Sequence, residues 1–161
     1  GGVDQAVLGG KFMWTRKYKT RVVARDTNRV LDRLVAEHDG YRRLPGRPVH
    51  RRSWEFDKLG DRLTVRDEVQ GSSTQTVTLN WHFSEECNVT CTPDGLSITN
   101  GPVCIVMILP PDGEVSILHG SNEPLAGWIS RAYDRIEPST TVVWRGSVES
   151  GEGVETTFRR L

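Results

Sequence analysis

Residues 36–52 read Ala-Glu-His-Asp-Gly-Tyr-Arg-Arg-Leu-Pro-Gly-Arg-Pro-Val-His-Arg-Arg. Histidine and tyrosine are side chains that move protons. The arginine fork grips anionic groups such as carboxylates and phosphates. The stretch holds His38, Asp39, Tyr41 and His50. It also holds Arg42, Arg43, Arg47, Arg51 and Arg52, with no acid from Arg42 to Arg52. Its chemistry would be proton transfer beside an anionic sugar or phosphate.

The elements that position these groups follow from the Pro-Gly pair. With Pro45-Gly46 at the centre of a type II turn, Leu44 and Arg47 flank it. Cross-strand pairing then sets Tyr41 against His50, Gly40 against Arg51 and Asp39 against Arg52. Alternation places Asp39, Tyr41, His50 and Arg52 on one face, and His38, Gly40, Arg42 and Arg51 on the other. Two readings fit that geometry. In one, Tyr41, His50 and Arg52 form a substrate-binding face for an anionic group. In the other, Asp39–Arg52 is an ordinary cross-strand ion pair and Tyr41 packs on His50 at a hairpin edge.

The rest of the chain is β in pattern. Val77, Leu79, Trp81 and Phe83 alternate with Thr76, Thr78, Asn80 and His82, the period of a strand with one buried face. Leu63, Val65 and Val69 alternate with Thr64, Arg66 and Glu68. Val142 and Trp144, then Val154, Thr156 and Phe158, repeat the theme. Residues 103–109 are apolar on both faces, which predicts a central strand covered on both sides. Turn signals separate the runs: Leu59-Gly60-Asp61, Gly71-Ser72-Ser73, Pro93-Asp94-Gly95, Asn100-Gly101-Pro102, Pro111-Asp112-Gly113 and Gly151-Glu152-Gly153. Thr27–Val35 has some helical spacing, but its flanks are β, and strand is preferred there. The expected fold is all-β, an antiparallel β-sandwich of about ten or more short strands, in one domain over residues 1–161.

Bulk properties narrow the partners. A chain of 161 residues suits one domain, and burying roughly two thirds of its unfolded surface gives it a core without metals or disulfides. Its 21 basic and 21 acidic side chains cancel, so its overall field steers neither nucleic acid nor an anionic membrane. No apolar run reaches membrane-spanning length. Cys87, Cys91 and Cys104 are an odd set, which argues against a complete disulfide framework. Cys87-x-x-x-Cys91 near His82 is too loose for a metal site without an evident fourth ligand, and small buried or strand-surface cysteines are the plainer reading. Asn88-Val89-Thr90 fits the glycosylation pattern, which also arises often by chance. His82 is expected in solvent, and His119 at a turn before Gly120. Of the tryptophans Trp14, Trp54, Trp81, Trp128 and Trp144, most are expected in the core and one or two exposed, where an aromatic face suits a pyranose. No Walker loop, dinucleotide fingerprint, His-Glu-x-x-His or Gly-x-Ser-x-Gly is present. The chain opens on Gly1-Gly2 without methionine and reads as a cut piece of a longer protein.

Several blocks, in order, resemble heparinase II/III-like polysaccharide lyases. Val3-Asp4-Gln5-Ala6-Val7-Leu8-Gly9-Gly10-Lys11-Phe12-Met13-Trp14 is similar to that family's Asp-Gln-Ser-Glu segment, with Ala6-Val7 in place of Ser-Glu. His38-Asp39-Gly40-Tyr41-Arg42-Arg43-Leu44 and Val49-His50-Arg51-Arg52 resemble the next block. Leu63–Gly71, Leu79–Ser84, Gly127-Trp128-Ile129-Ser130 and the stretch from Glu137-Pro138 to Val143 continue it. The resemblance implies a parent that pairs an α/α toroid with a β-sandwich and cleaves uronic-acid polysaccharides by β-elimination. A base takes the proton beside the uronate carboxylate, and an acid protonates the leaving oxygen.

In that family the catalytic Tyr and Asn or His lie in the toroid. A further His and the metal ligands lie in β-segments with His-x-His, Asp-Pro-Gly and Ala-His-Asn-Thr-like stretches. None of these occurs here. The resemblance therefore implies no catalytic residue, no metal ligand and no cofactor in this segment, with any divalent metal in the parent's upstream β-segment. Its implied partners are an anionic polysaccharide, reached through the parent enzyme, and the upstream domains of the same chain. Heparan sulfate, alginate and bacterial exopolysaccharides all stay open as substrate, and a periplasmic or secreted parent fits. A free-standing carbohydrate-binding module and a scaffold that binds no sugar remain as alternatives.

Overall fold

The computed structural model describes residues 3–11 and 13–161. Gly1, Gly2 and Phe12, at the chain's opening and within the Val3–Trp14 block, lie outside the described residues. Seventeen strands and no helix are found among the described residues. They are β1 (Val7–Gly10), β2 (Met13–Arg16), β3 (Thr20–Thr27), β4 (Leu31–His38), β5 (Val49–Asp57), β6 (Arg62–Gln70), β7 (Gln75–His82), β8 (Asn88–Thr92) and β9 (Gly95–Asn100). There follow β10 (Val103–Ile108), β11 (Glu114–His119), β12 (Ser121–Asn122), β13 (Leu125–Ala126), β14 (Trp128–Ala132), β15 (Arg135–Pro138), β16 (Thr140–Val148) and β17 (Gly153–Arg160). The largest sheet holds eight strands, and the pairings described below are antiparallel. The all-β expectation is met; Thr27–Val35 holds no helix, but β3 ends at Thr27, a turn spans 28–30 and strand resumes only at Leu31.

The described residues group into two compact units. The first takes the described part of Gly1–Thr76 with Ser147–Glu155. The second takes Val77–Gly146 with Thr156–Leu161.

In the first unit, β3, β4, β5 and β6 lie side by side in chain order. Polar side chains close two of their turns. Asn28 Oδ1 accepts from the Val30 and Leu31 amides, and Asp57 Oδ1 from those of Leu59 and Gly60. An Asn or Asp that caps its own turn in this way leaves few backbone donors unpaired. Along β6 the buried positions are Val65, Asp67 and Val69, the period-two face predicted for this strand with a carboxylate set into it.

The second unit is a two-layer sandwich. One layer runs from the end of β17 through β10 and β9 to β8. The other has the order β11-β16-β7. Leu96, Ile98 and Met107 from the first layer meet Val142 from the second, with Trp81, Ile117 and Phe158 packed around them. Each fully buried aliphatic side chain contributes about 2 kcal/mol to that packing. Val106 and Met107 are both buried, on opposite faces of β10, as its doubly apolar pattern predicts. Trp144 is wholly buried, whereas Trp14 is half exposed. Cys87, Cys91 and Cys104 are all free, and Cys87 packs against the core.

Candidate functional site: a histidine–aspartate–arginine face

The Pro45-Gly46 turn forms as predicted. Gly46 adopts φ 77°, and the Arg47 amide donates to the Leu44 carbonyl at 3.0 Å. The strands around it do not start where a tight hairpin would put them. β4 ends at His38 and β5 begins at Val49. Between them the chain makes successive tight turns, from the Arg42 amide to the Asp39 carbonyl and from the Leu44 amide to the Tyr41 carbonyl. His50 therefore stands opposite His38, not Tyr41, and Arg52 opposite Ala36, not Asp39. The displacement of three residues is odd, so it exchanges the two faces.

His38 thus joins His50 and Arg52 on one face. Asp39 leaves it, and its carboxylate accepts from the Lys19 amide at 2.7 Å. That bond holds the Asp39 carboxyl below its usual range. Tyr41 lies in the turn region, with its ring 5.3 Å from that of His38, and His38 lies 5.0 Å from His50. Tyr18 covers His38 at 5.1 Å. Burial first, and the nearby Asp4 charge next, push the Tyr41 hydroxyl pKa up.

The partner that sequence reasoning missed is Asp67. Its side chain is 1% exposed. Arg52 holds it in a two-point grip, Nε to Oδ1 at 2.6 Å and Nη2 to Oδ2 at 2.9 Å, and His50 Nε2 meets Oδ1 at 2.6 Å. Burial raises the Asp67 pKa, but the hydrogen bonds from His50 and Arg52 outweigh it, and the carboxyl lies below its usual range. A signal for Asp67 was present: it occupies the position in the Leu63, Val65, Val69 series where an apolar residue belongs.

Proton positions follow from the two ends of this network. The Gly40 amide donates to His38 Nδ1 at 3.3 Å, so His38 carries its proton on Nε2. That proton goes to His50 Nδ1, 3.0 Å away. His50 is then protonated on Nε2, which donates to Asp67. Hydrogen bonds run one way, from Gly40 through both imidazoles to a carboxylate neutralised by Arg52. Burial above all lowers the His38 pKa to about 4, with the Asp39 charge pulling it up and the Arg52 charge pushing it down.

On the other face of the strands, Arg51 and Arg21 both grip Glu37, at 2.8 and 2.6 Å, and hold its carboxyl below its usual range. Arg21 is 71% exposed, so Arg21→Ala is expected to cost under about 1 kcal/mol in chemical denaturation. Arg43 donates to main-chain carbonyls, while Arg42 and Arg47 are exposed. Of the other histidines, His82 is exposed, with Nδ1 2.9 Å from Thr141 Oγ1, and His119 Nδ1 lies 3.1 Å from Thr140 Oγ1. Among the described residues, no group of three or more His, Cys, Asp or Glu side chains is disposed to hold a metal ion. Nor is any helix long and apolar enough to cross a membrane.

The sequence profile of the family "Heparinase II/III-like, C-terminal" matches residues 1–157. The chain belongs to this family. Among solved structures, it is similar to the heparan sulfate lyase HepC from Pedobacter heparinus, with a TM-score of 0.69 and 17% identity. That alignment covers 88% of this chain and 22% of HepC. A structure described as heparinase III is similar with a TM-score of 0.63 and 13% identity, covering 88% of this chain and 21% of that one. The chain thus spans about a fifth of the length of these enzymes. No curated protein sequence matches it. At such identities the likeness of this Heparinase II/III-like domain to those structures is one of fold.

Proposed function

We propose that this chain is the C-terminal β-portion of a polysaccharide lyase that cleaves uronic-acid polysaccharides by β-elimination, and that it supports the substrate cleft without supplying the reacting groups. The observation that carries this reading is the family match over residues 1–157, with solved relatives that include a heparan sulfate lyase. An anionic polysaccharide is the substrate class, and the remainder of the longer polypeptide is the physical partner. Any divalent metal belongs to that remainder.

Within this segment Tyr41, His50 and Arg52 are proposed as the contact to an anionic sugar. Both ring nitrogens of His50, and Nε and Nη2 of Arg52, already serve protein partners. The face therefore offers few unbound donors, and Tyr41 is its hydrogen-bonding member. A free-standing sugar-binding module would want a row of exposed tryptophans. Trp14 is the exposed one, so the lyase-domain reading is preferred.

The test uses the full-length protein and a panel of uronate polysaccharides, following unsaturated product by ultraviolet absorbance. The full-length protein is expected to turn over at least one of them, and the isolated segment none. Tyr41→Phe in the full-length protein should lower kcat/KM by about fivefold to tenfold, the loss of one hydrogen bond of about 1 kcal/mol. Turnover by the isolated segment would move the chemistry into this chain and overturn the reading.

A further inference from the structure

The histidine face is joined to the start of the chain through one arginine. Arg43 Nη1 donates to the carbonyls of Gln5 (3.1 Å) and Gly40, and Nη2 to that of Asp4. Gly40 is pressed against the same segment: a Cβ built there would stand 2.5 Å from the Gln5 carbonyl oxygen. The Gly40 amide is in turn the donor to His38 Nδ1. One residue thus links the imidazole to the clamp. Its N–H reports to His38, and its C=O shares Arg43 with Asp4 and Gln5.

His38 Nδ1 is where a further proton can enter, because its Nε2 proton is committed to His50. A proton there removes the acceptor for Gly40 and sets one N–H against another. The groups around His38 make its charge unwelcome. Arg52 on β5 opposes it, and His50 stands beside it as a neutral acceptor. The tilted rings of Tyr18 and Tyr41 cover it, and the burial they help produce disfavours the charge. Asp39 favours the charge, but its carboxylate is held by the Lys19 amide. Asp67 on β6 lies beyond His50 and is neutralised by Arg52. Asp4 and Arg43 stand on the far side, around Tyr41.

We propose that residues 39–47 form a proton-operated latch on the segment preceding β1. Protonation of His38 at Nδ1 releases Gly40, and with it the Arg43 grip on the Asp4 and Gln5 carbonyls. The inference concerns a conformational device and holds whether or not the lyase reading does. The sign is that of a histidine whose pKa is depressed in the closed form. The released form binds the proton better, so the latch is intact above the ordinary value of 6.5 and weakens as pH falls towards about 4. One linked proton makes the release equilibrium change by about tenfold per pH unit in that window.

Hydrogen exchange in the full-length protein, corrected for intrinsic rates, reads this directly. The peptide spanning residues 3–11 should lose protection by about tenfold per pH unit from pH 6.5 to 4.5, while β6 keeps its own. His38→Asn puts a carboxamide oxygen near the place of Nδ1 and cannot titrate, so it should keep the segment protected across the range. Arg43→Gln should leave it unprotected at every pH. Protection that does not vary with pH in the native protein would overturn the latch, as would a slope that survives in His38→Asn. Should His38→Asn fail to fold, the nitrogen chemical shifts of His38 in the native protein decide instead. The latch requires Nδ1 to be the bare nitrogen at pH 7 and to titrate in step with loss of protection. A protonated Nδ1 at pH 7 would refute it.

Discussion

Asp67→Asn is expected to lower the unfolding free energy by about 3 kcal/mol, the cost of breaking a buried ion pair by removing one partner. Asp67 is 1% exposed, whereas Arg52 and His50 are 27% and 20% exposed. Asparagine keeps the shape but removes the charge that neutralises Arg52. With its oxygen in the place of Oδ1 the carboxamide can still serve His50 Nε2 and Arg52 Nε, but it sets an NH2 group where Oδ2 accepted from Arg52 Nη2, which loses its partner. Urea denaturation at pH 7 measures the loss as a lower midpoint with an unchanged slope. A control separates the ion pair from the space it fills. Replacing the trio together by apolar residues, Asp67→Val with Arg52→Met and His50→Phe, should recover most of the stability, since no orphaned charge remains. A loss under about 1 kcal/mol for Asp67→Asn would show that solvent reaching Arg52 already carries the charge.

The same carboxylate fixes an acid limit. Its pKa is lowered in the fold, so its contribution is present above the ordinary value of 3.8 and is lost as pH falls below it. His38 is depressed too, but as a base, and its contribution fades earlier, between 6.5 and about 4. Two successive acid steps are expected, the first removed by His38→Asn and the second by the apolar trio.

How much of this was legible in the sequence depends on which interactions are local. Alternation marked β6, β7 and β17, because a half-buried strand imposes period two on its own residues, and a run apolar on both faces marked β10. Pro45-Gly46 marked its turn, because proline and glycine set the two central dihedrals. The register of β4 against β5 was not legible, since residues 39–48 close through several turns, held from outside by Arg43 on Asp4 and Gln5. Nothing near Pro45 encodes that distant contact. The error put Asp39 in the place of Asp67 as the partner of Arg52. Yet a carboxylate at the apolar position of the β6 alternation, between Val65 and Val69, was a readable anomaly. A buried acid needs a cation and hydrogen-bond donors, and Arg52 and His50 were the ones at hand.

Trp144 carries the largest expected effect in the second unit. Its side chain is wholly buried in β16, and Nε1 donates to the Pro110 carbonyl at 3.0 Å. Truncation to alanine should cost about 4 kcal/mol, from lost transfer energy and the cavity left behind. Trp144→Phe keeps much of the apolar contact but orphans the buried Pro110 carbonyl, and should cost about 2 kcal/mol. The indole also explains a glycine. A Cβ on Gly146 would lie 2.4 Å from Trp144 Cη2, so Gly146→Ala overpacks the site by about 1–3 kcal/mol. The two changes are therefore coupled in part: the smaller phenylalanine ring relieves the contact with the indole, while the Asp112 carbonyl oxygen, 2.8 Å from the same Cβ, stays. In the Trp144→Phe background, Gly146→Ala should cost clearly less than in the native chain, a coupling of about 1 kcal/mol in a double-mutant cycle. Strict additivity would mean that the indole is not what keeps position 146 free of a side chain.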